Sequence, residues 1–172
     1  MPHEATAPDG IMLRPATPAD CQGIVTLVRL LAAHIGDETL AKVTPEVLTA
    51  AGAGPHPLWR GIVAEAAGKG IVGVCIYSVV FSTWIGAPGI YVIDLYVKKD
   101  ERKTQLGRRL LAFAARQARA AGARFIRLDV DVRNAQAEGF YHRLGFQKLA
   151  GDASFVLKNA SFDALADGSG AR

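Results

Sequence analysis

One stretch has the composition of a binding site for an anion: residues 97–109, where a predicted strand ends and a predicted helix begins. The connecting loop carries the cationic side chains of Lys98, Lys99, Arg102 and Lys103. The helix start, near Gln105 and Gly107, adds unpaired backbone N–H groups and the positive end of the helix dipole. A phosphate group would be stabilised there. The alternative is an exposed turn with solvated lysines and arginines, and such turns are common.

A second stretch, "NAQAEGFYHRLGF" at residues 134–146, carries a phenol on a predicted short helix. The hydroxyl of Tyr141, with an ordinary pKa of about 10, can donate a proton to a departing thiolate whose pKa is about 8.5. A core tyrosine with a satisfied hydroxyl is the alternative. Asn134, at the start of this helix, is either a simple N-cap or a group that contacts a ligand.

Other chemistries lack a sequence signal. The four histidines show no metal-ligand spacing, so no metal site is predicted, and no serine stands in a GxSxG setting. Cys21 and Cys75 lie far apart without a CxxC motif, and the apolar run "GIVGVCIYSVVF" predicts that Cys75 is buried. Asp129 and Asp131 share a strand face with Arg127, which favours surface or local ion pairing.

The length, composition and net charge of the chain limit its possible architecture. A chain of 172 residues that is 50% hydrophobic can bury one sizeable core. We therefore predict a single domain at residues 11–160, between a disordered extension at 1–10 and a tail at 161–172. The net charge of +4 favours an anionic ligand or partner without choosing among them. The opening "MPHEATAPDG" has no apolar stretch to serve as a signal peptide, and nowhere do about eighteen apolar residues run together, so we expect a cytoplasmic protein that is not bound to a membrane.

The hydrophobic pattern predicts elements in the order β, α, α, β, β, β, α, β, α, β, β. Thr44 and Pro45 have the residue types of a helix start. The helix that begins near Gln105 is amphipathic, with Leu106 and Leu110 on its apolar side. The last two strands fall within residues 146–158. This order predicts a mixed sheet with helices packed on it, in the α/β class.

The motifs "DLYV", "RKTQLG" and "NAQAEGFYHRLGF" follow one another along the chain. Together they resemble the GNAT superfamily of acetyl-coenzyme A dependent N-acetyltransferases, over about residues 11–158. The resemblance implies a mixed sheet of about six to seven strands, splayed between the fourth and the fifth. The segment "FSTWIGAPGIYVIDLYV" is most similar to the diamine and thialysine acetyltransferases of the spermidine/spermine type, in which it runs close to "FSTFLGRPGIYLEDLFV".

The resemblance further implies a site for acetyl-coenzyme A or coenzyme A. The backbone of Leu95, Tyr96 and Val97 would pair with the pantetheine arm, and an N–H there would polarise the thioester carbonyl. Asn134 would contact the cofactor arm, and Tyr141 would protonate the coenzyme A thiolate as it leaves. The residues that would wrap the pyrophosphate are Arg102, Lys103, Thr104, Gln105, Leu106, Gly107 and Arg108.

The phosphate-binding turn departs from the family pattern. Lys103 stands where a glycine often follows the arginine, and Gln105 replaces the first signature glycine, so that only Gly107 is kept. The side chain of Gln105 would obstruct the pyrophosphate if the position needs a positive φ. It would cost little if the residue is already helical.

A further departure concerns the acceptor. Ile93 stands where the subfamily has its catalytic glutamate. An aliphatic amine with a pKa near 10.4 is neutral in only about one molecule per few thousand at pH 7, so it needs a base or a water chain. Asp94 is adjacent, but in a regular strand it faces the other way from Ile93. Either the base lies elsewhere, or the acceptor is a less basic amine, or turnover is slow.

The favoured hypothesis is direct acetyl transfer, in a ternary complex, to a primary amine of a diamine, a polyamine or a lysine-like amino acid. Asp37, Glu38, Ile93 and Asp94 are the candidate acceptor contacts, and a homodimer is expected from the family. The alternative is a GNAT-like domain, weakened at Ile93 and Gln105, that binds coenzyme A or a protein partner without appreciable turnover. A nucleic-acid binder ranks last, because the basic run "VKKDERK" lacks an aromatic platform or a recognition helix.

Overall fold

The computed structural model describes residues 10–36, 39, 41–151 and 153–168. Its strands are β1 (Ile11–Pro15), β2 (Arg60–Ala66), β3 (Gly70–Ser82), β4 (Ala87–Val97) and β5 (Ile126–Leu128). They form one five-stranded sheet in the order β1-β2-β3-β4-β5. The first four strands are antiparallel neighbours and β5 runs parallel to β4, so the predicted mixed sheet is confirmed.

The helices are α1 (Cys21–His34), α2 (Pro45–Gly52), α3 (Leu106–Ala120), α4 (Ala135–Arg143) and α5 (Ala160–Ala166). Short 3-10 segments, Pro18–Asp20 and Lys99–Thr104, precede α1 and α3. The predicted α/β class is confirmed. Residues 1–9 of the predicted extension, and the candidate acceptor contacts Asp37 and Glu38, lie outside the described residues.

Helices α1 and α2 cover one face of the sheet, which we call the α1 face. Ile24 and Leu27 of α1 are at most 1% exposed and pack with Leu48 of α2. Beneath them lie Val74 and Ile76 of β3. Each such side chain contributes about 1.5–3 kcal/mol by leaving water, so this cluster fixes the two helices on the sheet.

Helix α3 covers the opposite face. Leu106 and Leu110 are fully buried and Phe113 is nearly so, which confirms the predicted amphipathic helix. Gly73 of β3 allows the close approach, because a Cβ added there would lie 3.1 Å from Cδ1 of Leu110. The start of α3 is therefore held tightly against the central strands.

Strands β4 and β5 separate after a short contact. Their ladder joins residues 90–92 to Ile126–Leu128, whereas β4 continues to Val97. Among the described residues, positions 93–97 have no strand neighbour on this side. The predicted splay between the fourth and fifth strands is confirmed, and it leaves one edge of β4 accessible.

The chain divides into two compact units, one through Glu138 and the other from Gly139 onward. In the second unit the predicted final strands are wrong: the described part of residues 146–158 forms no ladder, and Phe155 and Val156 are 95% and 80% exposed. Apolar composition favours a strand only where a neighbour is available to pair with it. Among the described residues the sheet accordingly has five strands rather than about six to seven, and α5 had no predicted counterpart. The single domain at 11–160 stays a prediction.

Within the described ranges, no helix is long and apolar enough to span a bilayer. The same residues contain no group of three or more His, Cys, Asp and Glu side chains that could hold a metal ion. Cys21 and Cys75 are buried and free. Burial raises the pKa of the Cys75 thiol to about 12, so this residue acts as a small hydrophobic side chain, as predicted.

Candidate active site

The backbone at the end of β4 faces the gap between β4 and β5. The N–H of Lys98 donates to the carbonyl oxygen of Val72 at 2.9 Å. Bonded and non-bonded positions alternate along an antiparallel ladder, so Tyr96 bonds to β3. Leu95 and Val97 therefore turn their N–H and C=O groups away from β3, toward the splay.

Strand β4 has a bulge at Ile93. Asp94 is paired with Ile76 and Val92 with Tyr77, so Ile93 is the extra residue. Ile76 and Tyr77 point to opposite faces of the sheet, and their partners Asp94 and Val92 do the same. The strand is therefore not regular at this point, and the condition under which Asp94 would face away from Ile93 is not met. The bulge places Asp94 on the α1 face.

Asp94 is partly buried on this face. Burial raises the pKa of its carboxyl above the ordinary value, because the charged form is poorly solvated. In the described part of the chain, no hydrogen-bond or ion-pair partner is assigned to it. A carboxylate in this position is suited to receive an ammonium group.

Helix α3 begins at a residue in the left-handed conformation. Gln105 has φ 55° and ψ 20°, and its side chain makes no capping hydrogen bond. The N–H of Arg109 donates to the carbonyl oxygen of Gln105 at 3.1 Å, which leaves residues 106–108 without an intrahelical acceptor. The second alternative, a helical Gln105, is therefore wrong, and the obstruction of the pyrophosphate stays a prediction. Gln105 adopts the positive φ that suits glycine, at a cost of about 1 kcal/mol.

Two arginines of the predicted pyrophosphate site have different environments. Arg102 turns back onto β4, where its Nε donates to the carbonyl oxygen of Val97 at 3.1 Å. Its guanidinium also lies 5.4 Å from the ring centre of Tyr96. Arg108 is exposed at the helix start, with Nη1 donating to Oε1 of Gln105 at 3.3 Å. Arg108 is thus the more accessible of the two cations.

At two other positions of this turn the side chain is hydrogen-bonded or buried. The hydroxyl of Thr104 donates to the carbonyl oxygen of Glu101 at 2.9 Å. The side chain of Leu106 is fully buried, so only its N–H can contact a ligand. The side chain of Lys103 lies outside the described part of the structure.

The two candidates on α4 belong to different units. Asn134 caps the helix, because its Oδ1 accepts from the N–H of Ala137 at 3.0 Å, which confirms the N-cap interpretation. Its NH2 group takes no part in that bond. Tyr141 lies in the second unit, where its ring makes edge contacts with Phe140 and Phe146 at centre distances of 5.1 and 5.3 Å.

The sequence did not indicate a hydrogen bond near the bulge. The hydroxyl of Tyr91 donates to Oδ2 of Asp129 at 2.8 Å, where β4 and β5 part. The pattern grouped Asp129 with Asp131, but Asp131 is bound to Arg133 at 2.6 Å. No local signal could have joined residues 91 and 129, because their proximity depends on the pairing of two strands far apart in the chain.

A cavity of about 350 Å³ lies elsewhere, near the start of β4. Its lining includes Trp59, Tyr77 and Pro88, and none of the predicted site residues. Asp94, Leu95 and Val97 lie further along β4, toward its C-terminal end. We therefore place the candidate site at the splay and the bulge.

Comparison with known proteins agrees with this geometry. The family model "Acetyltransferase (GNAT) family" matches residues 35–146. A thialysine N-epsilon-acetyltransferase of Bos taurus is 34% identical over 146 residues, which cover 81% of this chain and 85% of that protein.

Solved structures show the same fold. An integron cassette protein of V. cholerae has a TM-score of 0.74 at 16% identity, covering 91% of this chain and 98% of that one. An aminoglycoside acetyltransferase from an uncultured soil metagenomic sample has a TM-score of 0.72 at 18% identity, covering 88% and 99%.

The family match and the thialysine N-epsilon-acetyltransferase relatives show that the chain is an N-acetyltransferase. The chain belongs to the acetyltransferase (GNAT) family.

Proposed function

We propose that the protein transfers the acetyl group of acetyl-coenzyme A directly to a primary amine of a small molecule, in a ternary complex. The acceptor is a diamine, a polyamine or a lysine-like amino acid, in line with the thialysine acetyltransferases that the chain is similar to. We also propose that the enzyme works in the cytoplasm and as a homodimer, as the family resemblance implies.

One observation carries the proposal: Leu95 and Val97 turn their backbone groups into the splay, and a helix start with unpaired N–H groups follows on the same connection. An extended arm with amide groups can pair with such a strand, while its phosphates lie at the helix start. These residues fit coenzyme A. The pantetheine arm would lie along 95–97, the pyrophosphate at 102–108, and the NH2 of Asn134 would add a contact.

Acetyl-coenzyme A, when bound, supplies an acetyl thioester. The chain's own contribution would be an N–H of Leu95 or Val97 that donates to the thioester carbonyl oxygen as negative charge develops there. Such a preorganised donor is worth about 3 kcal/mol in comparable sites. The splay therefore both binds the arm and polarises the reacting group.

The acceptor amine is proposed to lie beside Asp94. The carboxylate attracts the ammonium form, and its raised pKa makes it a stronger base than an ordinary aspartate. The bulge therefore supports Asp94, the residue after Ile93, as the base that replaces the missing glutamate. Asp37 and Glu38 remain proposed contacts for a polycationic acceptor.

Tyr141 is the proposed acid for the leaving thiolate. Replacement Tyr141→Phe should lower kcat by about 100-fold, because one proton donor is removed, and should leave the affinity for acetyl-coenzyme A nearly unchanged. Steady-state kinetics and calorimetry measure the two quantities. Unchanged turnover would remove Tyr141 from this role.

Calorimetric titration with acetyl-coenzyme A and coenzyme A tests the proposal first. Micromolar binding is expected, followed by acetylation of at least one member of a panel of diamines, thialysine and lysine analogues. Absence of binding at millimolar ligand would contradict the assignment of the helix start as the anion site.

A further inference from the structure

Tyr91, Arg127 and Asp129 form a polar group where β4 and β5 part. Tyr91 and Arg127 are direct partners in the ladder between the two strands, so their side chains share a face. Asp129 follows the last residue of β5 and accepts the Tyr91 hydroxyl hydrogen bond at 2.8 Å. Its side chain is exposed. This group, which we call the splay cluster, has no role in the function proposed above.

Asp94 lies on the same face as the splay cluster. Tyr91 is opposite Ser78 and Asp94 is opposite Ile76, and Ser78 and Ile76 are two residues apart on β3. Without the bulge, Tyr91 and Asp94 would point to opposite faces. Because Ile93 is the extra residue, positions 91 and 94 lie opposite residues two apart on β3, which is about 7 Å along the sheet at a rise of about 3.3 Å per residue.

The hydroxyl of Tyr91 is held in its protonated form. Burial raises its pKa, and the hydrogen bond to Asp129 and the charges of Asp129 and Asp94 raise it further, whereas Arg127 lowers it. Tyr91 therefore remains a donor to Oδ2 of Asp129. Among the described residues, no bond is assigned to the other oxygen, Oδ1.

We propose that Asp129, positioned by Tyr91, determines specificity by binding the second ammonium group of the acceptor. The inference rests on the proposed function. Asp94 receives the reacting amine and Asp129 receives the far end of the same molecule, so the site selects acceptors with two ammonium groups over simple amines. Tyr91 is a positioning residue, because it occupies one carboxylate oxygen and directs the other to the substrate.

A diamine and a lysine-like amino acid both carry two ammonium groups, so both fit this site. Arg127 distinguishes them, because its positive charge lies on the same face as Tyr91 and close enough to affect its pKa. An amino acid offers a carboxylate to this guanidinium. A diamine offers only a second positive charge, which the guanidinium repels.

The test measures kcat and KM for lysine, cadaverine and pentylamine at saturating acetyl-coenzyme A. Lysine and cadaverine differ by the carboxylate, and pentylamine lacks the second ammonium group. Replacement Asp129→Asn should raise KM for lysine and cadaverine by about tenfold or more and leave kcat and the pentylamine values unchanged. Replacement Asp131→Asn is the matched control, because that carboxylate is already bound to Arg133.

Two further variants refine the result. Tyr91→Phe should raise KM for the two doubly charged acceptors by about threefold without changing kcat, as loss of one hydrogen bond predicts. Arg127→Gln should raise KM for lysine, because the carboxylate loses the guanidinium, and should lower KM for cadaverine, because a repelling positive charge is removed. Thermal unfolding of each variant shows whether it folds.

Equal KM values for wild type and Asp129→Asn with all three amines would overturn the inference. If the wild type acetylates none of them, the proposed function fails instead, and calorimetric titration with cadaverine still tests Asp129. A tenfold weaker Kd for Asp129→Asn supports its role. Equal affinity, or no binding to either protein, overturns it.

Discussion

Helices α2 and α3 begin in opposite ways. At the start of α2, the hydroxyl oxygen of Thr44 accepts from the N–H of Val47 at 3.3 Å, and Pro45 has no N–H to satisfy. Glu46 adds a negative charge in the first turn. At the start of α3, Gln105 makes no capping bond, and the first turn has no acidic residue. One helix start is satisfied by its own side chains and the other is not.

The difference separates a structural helix start from a binding one. A missing side-chain cap costs about 1 kcal/mol, and the left-handed conformation of Gln105 costs about the same again. The two costs fall on the turn that follows the accessible edge of β4. A bound anion would meet the free N–H groups and the uncompensated helix dipole, and would thereby offset the loss.

Gly107→Pro should have the largest effect of these variants, and it should act on the affinity of the start of α3 for coenzyme A. Proline removes one of the free N–H groups without breaking an intrahelical bond, because the first turn has none to lose. Calorimetry should show the affinity for coenzyme A falling at least about tenfold, the value of one charge-assisted hydrogen bond.

Gly107→Ala is the matched control, because it keeps the N–H and should keep most of the affinity. Wild-type affinity in Gly107→Pro, with the fold intact by circular dichroism, would mean that the start of α3 does not bind the anion.

Thr44→Ala should affect stability alone. It removes the N-cap acceptor of α2 and should lower the free energy of unfolding by about 1 kcal/mol, measured by urea denaturation. The affinity for coenzyme A should not change. If Thr44→Ala lost as much affinity for coenzyme A as Gly107→Pro, the proposed difference between the two helix starts would be contradicted.

Gln105→Gly should raise both the free energy of unfolding and the affinity for coenzyme A, whereas each preceding variant lowers one of them. Glycine adopts the positive φ without strain, so the free energy of unfolding should rise by up to about 1 kcal/mol, less the extra backbone entropy of glycine in the unfolded chain. Removal of the Cβ should also bring the phosphate closer and tighten coenzyme A binding severalfold. A lower Tm with unchanged binding would contradict the reading of this residue as strained.

Glu46→Gln should have the smallest effect, and it should depend on pH. The Thr44 hydroxyl and the backbone N–H of Glu46 lower the pKa of this carboxyl. A lowered folded-state pKa stabilises the fold above the unfolded pKa, and the contribution is lost as the pH falls through the folded pKa. Glu46→Gln should therefore lower Tm slightly at neutral pH, with the two proteins converging in acid. A constant Tm difference at every pH would point to a cause other than charge.

Local patterns accounted for the elements whose residues are close in sequence. Thr44 and Pro45 start a helix because their side chains and ring suit its first turn, whatever lies around them. The buried row Leu106, Leu110 and Phe113 follows from helical spacing. The motifs "DLYV", "RKTQLG" and "NAQAEGFYHRLGF", taken together in this order, were enough to suggest the family.

The details that decide the chemistry were not local. The same residues at 92–94 would form a regular strand beside another partner, and only the register against β3 shows that Ile93 is extra. The conformation of Gln105 had two readings until the end of β4 and the packing of α3 fixed both sides of the turn. The prediction of the two final strands was wrong for a related reason, since a segment forms a strand only with a neighbour to accept its hydrogen bonds.

The sequence by itself determined the fold class, the helix starts, the apolar faces and the family, because these depend on residue type and short-range spacing. The tertiary structure alone decided which face Asp94 occupies, that Gln105 is left-handed, and that Tyr91 binds Asp129 across the splay. Those outcomes depend on the register and separation of strands distant in the chain, and hydrogen bonds across a sheet are not encoded in any one segment.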